Sequence, residues 1–426
     1  MPGPIPQTEP TGATAPGGSQ GQAAKSRKIP LVLRVYGGLC LADGILAVPG
    51  MILLFGLFAL ALAADPTLVT RADPTLSLIM TLVNAGVTLV NAVCLIFFGV
   101  SLLKNRRRNV ARWANVLIAL TVTHLVVSVM VGGISTQLIQ PGIQLVILLG
   151  LSVTIDPSLT KERWAKRKSE EAAEMAAARA GMLGRDTTGK GYLKLNFFNL
   201  FWTFVVCCVI GLVLEIIWHM TVVDPGVYQD RAGLLYGPFS PIYGFGALLM
   251  TVALNRLYDN NPILIFLASA VIGGLFEVAV SLFMQFGFGA VAWDYSGAML
   301  FGLFPDPIAQ LFGGRTSTLF AGIWGVLGLV WIKALLPLLL KLINLIPWQL
   351  RYGLTTVCAA LMLVNGIMTL QSLDCWYLRL SGVAPTSPIE QFYADHYGND
   401  FMQHRFESMT ITPGDSARID GVTSEE

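Results

Sequence analysis

Apolar residues run along this chain in long unbroken blocks, not in the two-residue alternation of a strand or the narrow stripe of a soluble helix. Nine blocks stand out, at about 35–62, 77–103, 113–131, 137–155, 198–220, 237–255, 262–286, 317–340 and 352–373. A helix needs roughly 20 residues to cross the hydrocarbon core of a bilayer, and each block is near that length. The fourth is the weakest, interrupted by Gln140, Pro141 and Gln144. Lipid leaves backbone polar groups no outside partner, so these blocks predict helices. The expected fold is an all-α polytopic membrane protein with about nine transmembrane helices.

The polar stretches divide the chain. Residues 1–30, rich in Pro, Gly, Gln, Ser and Thr, predict a disordered N-terminus. A four-span module follows over 31–155, then a linker at 156–194 whose Ala, Glu, Lys and Arg content favours helix. A five-span module occupies 195–380, and a tail covers 381–426, with a short helix expected at Ile389–His396 after Pro388. The first apolar block is too long and too far from the start to be a cleavable signal.

Composition sharpens this picture. Only 13% of residues are charged, against about 25% in soluble domains. The net charge of +2 gives no reason to expect a nucleic-acid partner, because the basic residues concentrate in the loops. With the N-terminus inside, 22 of the 28 Lys and Arg residues fall on inner segments and 6 on outer ones. The positive-inside rule therefore orients the chain with a cytoplasmic N-terminus and an extracytoplasmic tail. The six cysteines lie in or beside apolar blocks without CxxC pairs, as buried thiols do. No cofactor or metal site is expected. Gly184-Arg-Asp-Thr-Thr-Gly189-Lys190 mimics a phosphate-binding loop, but Gly191 stands where Ser or Thr would hold magnesium, and an Ala-rich helical run precedes it.

Candidate chemistry begins with Glu215, a carboxylate inside an apolar block, where a charge costs about 2.5–3.5 kcal/mol on insertion scales. Val209-Ile-Gly-Leu-Val-Leu-Glu215-Ile-Ile aligns with Val271-Ile-Gly-Gly-Leu-Phe-Glu277-Val-Ala. Both segments run outward, and both precede an outer loop with an arginine, Arg231 or Arg315. Spans five–six and seven–eight thus read as a parallel two-helix repeat. Glu215, Glu277, Arg231, Arg315 and Asp294, with the aromatics Tyr236, Tyr243, Trp293 and Tyr295, form the candidate substrate-binding site. Three readings stay open: arginines pairing with the two glutamates to fix helix packing, a site for a polar or cationic solute or a coupled proton, and an acid/base pair. No nucleophile or catalytic motif accompanies the carboxylates, so no enzyme is expected. Asp43, Asn84 and Asn91 are expected to bond between helices of the first module, and His219 beside Trp218 is expected at the interface.

Four motifs carry a family resemblance. These are Leu214-Glu215, Leu235-Tyr236-Gly237-Pro238 continuing through Pro241-Ile242-Tyr243-Gly244, Trp293-Asp294-Tyr295, and Gly314-Arg315 before Trp324-Gly325. Through them residues 198–345 resemble the bacterial ABC-transporter permease family of the CmpB type. The tail from Pro388-Ile389-Glu390-Gln391-Phe392 to Arg405-Phe406 is similar to the end segment of such proteins. Two departures stand out: Ala232 separates Arg231 from Gly233, and Gly297–Phe312 is longer than the family's usual connection.

The resemblance implies a permease-like solute transporter of the bacterial cytoplasmic membrane, with the lipid bilayer, an unknown solute and an ATPase subunit as partners. The inner loops at 255–261 and 341–351 are short, so an ATPase would dock on the 156–194 linker. The alternatives are a membrane scaffold or sensor recruiting partners through that linker and the tail, or a membrane-embedded enzyme acting on envelope substrates.

Overall fold

The computed structural model describes residues 30–64, 75–154, 175–177, 184–186, 191–346 and 350–418. The expectations for 1–29, for most of the linker (including 187–190) and for 419–426 lie outside the described residues. The first module consists of α1 (Leu31–Ala64), α2 (Thr75–Leu103), α3 (Arg107–Gly132) and α4 (Ile139–Thr154). The second contains α5 (Phe197–Trp218), α6 (Pro241–Leu254), α7 (Pro262–Phe288), the short α8 (Pro307–Leu311), α9 (Thr318–Val330), α10 (Leu336–Ile343) and α11 (Arg351–Leu380). The tail adds α12 (Pro388–His396) and α13 (Asn399–Arg405). The chain is thus a multi-pass, all-α membrane protein.

Among the described residues, seven helical stretches are long and apolar enough to cross a membrane: Leu31–Leu57, Ser77–Leu103, Arg108–Gly132, Phe197–Val223, Pro262–Phe288, Thr318–Ile343 and Arg351–Leu380. The fourth and sixth expected spans are shorter. Helix α4 has 16 residues and α6 has 14, about 24 and 21 Å at 1.5 Å per residue. The fourth block is shortened by the turn at Gly133 (φ 60) and a 3₁₀ turn at Thr136–Leu138. The sixth is shortened because the LYGP run is loop, and the helix starts at Pro241, a residue pre-set for the first helical position.

Small residues set the packing. In the first module Gly37, Gly44 and Gly99 sit where α1 and α2 press backbone against side chain, around a core that includes Phe98, Leu102, Val110, Leu117 and Leu148. Asn84 Oδ1 meets His124 Nδ1 at 3.1 Å and accepts from Ser128 Oγ at 3.3 Å, joining α2 to α3 as expected. Asn91 Oδ1 has no hydrogen-bond partner among the described residues, and Asp43 lies on an exposed face of α1. In the second module α5 pairs with α6 and α7 with α9. Both α5 and α9 run on into π turns, His219–Val223 and Trp331–Leu335. Such turns are often found at functional sites.

The segments expected on the outer side meet at one end of the molecule. Strand β1 (Ala290–Val291), just after α7, pairs antiparallel with Thr410–Ile411 of the tail. Arg418 forms a buried ion pair with Asp374, its guanidinium 4.3 Å from the Tyr377 ring, and the pair packs against Gly133 of the first module. The tail thus ties both modules together. Its expected helix is present as α12, started by a capping box between Ser387 and Glu390. Backbone N–H groups of Thr386 and Ser387 donate to Glu390 and hold its carboxyl below the usual range.

Segments expected on the inner side meet at the other end. Asn255 Oδ1 accepts from Tyr192 N at 3.1 Å and Leu193 N at 2.8 Å, and Asn199 Nδ2 donates to Gly184 O at 3.3 Å. Gly184–Asp186 faces Tyr192–Lys194 as an antiparallel bridge. The described linker residues therefore dock against the turn between α6 and α7.

Candidate functional site

The loop between α5 and α6 is held on three sides. Tyr236 N donates to Asn365 Oδ1 at 3.2 Å and Asn365 Nδ2 donates back to Tyr236 O at 2.8 Å, while Leu235 N donates to Thr369 Oγ1 at 3.0 Å. From the tail, the Arg405 guanidinium donates to Leu234 O, to Gly237 O at 2.7 Å, and to Asp230 Oδ2 at 2.8 Å. Gly237 has φ 76, a left-handed position that glycine takes without steric cost. Ser240 N donates to Cys208 O of α5 at 3.0 Å. These bonds fix where Arg231 and Tyr243, before and after the LYGP run, can point.

Both point at Glu215. Arg231 Nε lies 3.4 Å from Glu215 Oε1, with about a fifth of each side chain exposed. That separation is longer than the roughly 2.7–2.9 Å of a charge-assisted hydrogen bond, and Arg231 Nε has no hydrogen-bond acceptor among the described residues. The Tyr243 hydroxyl is directed at the same carboxylate. Tyr243 comes this close because Gly211, one helical turn before Glu215, presents no side chain; a Cβ there would run into the Tyr243 ring. His219 is buried within the protein, with Nδ1 3.3 Å from Val227 O.

Glu277 is served differently. It is 5% exposed. The Tyr295 hydroxyl donates to its Oε1 at 3.0 Å, Thr316 Oγ1 donates to its Oε2 at 2.8 Å, and the Trp324 side chain adds a third donor. Tyr295 is itself set by a ring stack on Phe320 at 4.3 Å and by its N–H to Gly314 O at 2.7 Å. Burial, and then the Glu277 carboxylate beside it, push the Tyr295 phenol far above its usual range, so it stays a donor. Among the described residues no Lys, Arg or His lies within ion-pair distance of Glu277. Tyr243 interacts electrostatically with both glutamates, and Tyr295 interacts with Tyr243 and Glu215 as well as with Glu277. The two carboxylates therefore share one polar cluster.

Four expected members stand apart from it. Arg315 does not pair with Glu277; its Nη2 donates to Gln285 Oε1 at 2.5 Å. Helix α7 continues for two regular turns past Glu277, which brings Gln285 in front of the arginine. Asp294 closes a turn, its Oδ1 accepting from Ser296 N at 2.8 Å and its Oδ2 from Ser296 Oγ at 3.0 Å. Tyr236 leaves the cluster, its hydroxyl bonding to that of Tyr397 in the tail. Burial, and then the Tyr236 bond, push the Tyr397 phenol up to about 12. Trp293 supports the loop by donating from Nε1 to Arg315 O at 3.1 Å. Thr316, Trp324 and Gly211 do not stand out as site residues in the sequence because none carries a charge. The signal for Thr316 was its place directly after Gly314-Arg315, and for Trp324 its place directly before Gly325.

Residues 202–370 match the family described as Putative ABC-transporter type IV, of the CmpB type. The match begins in α5, ends in α11, and takes in both glutamates, Arg231, Tyr243, Tyr295, Thr316 and Trp324. The resemblance read from the LYGP-x-x-PIYG run and its companions is borne out over this stretch. No curated protein and no solved structure matches the chain.

Proposed function

We propose that the chain is a permease-like transporter component of a bacterial cytoplasmic membrane, with a polar solute site between Glu215 and Glu277 opening toward the outer face. The observation that carries this reading is Glu277: a buried carboxylate in a membrane helix, held by three neutral donors and lacking a cationic partner among the described residues. Buried carboxylates either neutralise or take a cation. Glu277 is accordingly the group that receives a proton or the positive part of a solute, and Arg231 keeps Glu215 balanced beside it.

The parallel repeat supports a shared origin for the two halves of the site. Phe204, Gly211 and Glu215 stand 62 positions before Phe266, Gly273 and Glu277, and Tyr243-Gly244 stands 81 positions before Trp324-Gly325. The contacts follow the same pairing. Gly211 meets Tyr243 and Gly244 meets Phe204; Gly273 meets Trp324 and Gly325 meets Phe266. On this reading α4 and α6 also cross, completing nine spans, with the N-terminus inside and the tail outside. The ATP-hydrolysing partner implied by the family description would meet the opposite end, where the described linker residues dock on Asn255.

The test uses cells lacking the protein, complemented with the wild type or with the Glu215→Gln/Glu277→Gln variant at equal membrane abundance. Mass spectrometry compares small molecules inside and outside the cells. The wild type should restore the distribution of at least one polar or cationic solute, and the double variant should leave it as in the deletion. Full restoration by the double variant overturns the proposal.

A further inference from the structure

The connection from α7 to α9 contains a hairpin that the polar site does not use. Strands β2 (Met299–Leu300) and β3 (Phe304–Pro305) pair antiparallel. Between Asp294 and Asp306 the sequence Tyr-Ser-Gly-Ala-Met-Leu-Phe-Gly-Leu-Phe-Pro holds no charged residue. The tip turns its apolar side chains outward: Phe301 is 84% exposed and Leu303 78%, with Met299 and Phe304 also exposed. Phe301 has φ 54 and Gly302 has φ 68. A phenylalanine in the left-handed region is an outlier, since glycine or asparagine fits that turn without strain. An aromatic residue held there at the most exposed point of the turn needs an environment that rewards it, and water does not.

The base of the hairpin is rigid and is fastened to a membrane helix. Asp306 N donates to Ala298 O at 2.9 Å across the two strands. Asp306 Oδ1 accepts from Ile308 N and Ala309 N, each at 3.0 Å, and from Thr318 Oγ1 at 2.9 Å. Thr318 opens α9, so the hairpin springs from the first turn of a helix long and apolar enough to cross. Leu319 in that same turn and Leu311 at the end of α8 are both exposed. The apolar surface of the hairpin therefore continues, through residues bonded or adjacent at its base, into the exposed face of α9, which includes Val326, Leu327 and Val330.

We infer that residues 296–305 form a lipid-facing wedge, with Phe301 and Leu303 set among the lipids of the leaflet next to the α7–α9 connection. The occupant of this surface is the bilayer. Aromatic side chains favour that interfacial depth, no charge opposes insertion, and the surface is continuous with a spanning helix. A wedge fastened by Asp306 to the turn that carries Thr316 and Thr318 couples lipid packing to the donors around Glu277. The membrane location of the wedge does not depend on whether that site carries a solute.

The test places a nitroxide on Phe301→Cys, and separately on Leu303→Cys, in the full chain with Cys358→Ala. The five remaining cysteines are buried, and the parent without the added thiol measures any background labelling. The protein is held in nanodiscs of phosphatidylethanolamine and phosphatidylglycerol, and a label at Gly414→Cys in the tail serves as the aqueous reference. Collision with oxygen and with a water-soluble nickel chelate is read by power-saturation spectroscopy. The wedge predicts high oxygen access and nickel access several-fold below that at position 414, at both tip positions. Nickel access equal to the reference overturns it. Protection from both reagents also overturns it, and identifies a protein partner or a second copy as the cover.

Discussion

Helices α5 and α7 each carry a glutamate four residues after a glycine, and each glycine is met by an aromatic side chain from the next long helix. The surroundings of the two carboxylates nevertheless differ. Helix α5 gives way to a π turn directly after Trp218. The following loop brings Arg231 back onto the Glu215 carboxylate. Helix α7 stays regular to Phe288, so Gln285 reaches Arg315 first and Glu277 is left to hydroxyl and indole donors. One local frame thus gives a carboxylate balanced within the chain and a carboxylate balanced by hydrogen bonds alone. The behaviour of helix ends past the motif decides which is which.

The packing that both halves share is the first thing to break. Gly211→Leu and Gly273→Leu would each drive a side chain into the Tyr243 or Trp324 ring with no room to relax. Overpacking of this kind costs about 1–3 kcal/mol or more, and both variants should show the largest drop in thermal unfolding temperature in nanodiscs. If only one does so, the two helix pairs are not equivalent.

Next in size is the asymmetry between the glutamates. Breaking a buried ion pair by removing one partner costs about 3–5 kcal/mol; the partly exposed Glu215–Arg231 pair should lose about 1–3 kcal/mol in Glu215→Gln. Adding Arg231→Gln should return much of that loss, because the stranded charge goes with it. Glu277→Gln keeps an acceptor for its donors and should lose under about 1 kcal/mol, with no rescue from Arg315→Gln. A double-mutant cycle on unfolding temperatures reads all four states, and equal losses at the two glutamates would erase the distinction.

A smaller effect is expected at Thr316→Val, which removes one buried donor from Glu277 for about 1 kcal/mol and should leave the Glu215→Gln penalty unchanged. The smallest is a pH effect at the base of the α7–α9 connection. Burial alone would raise the Asp306 carboxyl, but the N–H groups of Ala309, Thr318 and Ile308 and the Thr318 hydroxyl more than offset this and hold it below its ordinary value. A depressed folded-state value contributes stability above the unfolded value and loses it as pH falls through the folded one. Protection of the Ile308 and Ala309 amides, measured against their intrinsic exchange rates, should therefore fall below about pH 4, and should not do so in Asp306→Asn.

Much of this was legible in the sequence. Apolar block lengths predicted nine spans, seven of which are long helices among the described residues, Pro388 predicted the start of α12, and the aligned Val-Ile-Gly segments pointed to Glu215 and Glu277 as a pair. The weakness of the fourth span was visible in Gln140 and Pro141, but the starts of the fourth and sixth helices are set by the turns before them, at Thr136–Leu138 and in the LYGP run, which a residue count alone does not reveal. The pairing of Arg315 with Gln285 was not legible, because a positive charge near a carboxylate in sequence says nothing about which neutral group intervenes in space. Nor was the departure of Tyr236 toward Tyr397, which depends on a tail folding back across more than a hundred residues. Thr316 and Trp324 were hidden for a simpler reason: neutral donors carry no charge to flag them.

In the proposed transporter Glu277, beside a self-balanced Glu215, is the receiving group of the polar site. The most direct measurement is an electron-cryomicroscopy map of the protein purified with its native lipids and solutes retained. Non-protein density is expected within hydrogen-bond distance of the Glu277 carboxylate, on the side shared with Tyr243 and Tyr295, and is expected to be lost in Glu277→Gln. A map in which Glu215, Tyr243, Tyr295 and Glu277 close directly on one another, with no density between them and no change in the variant, would contradict it.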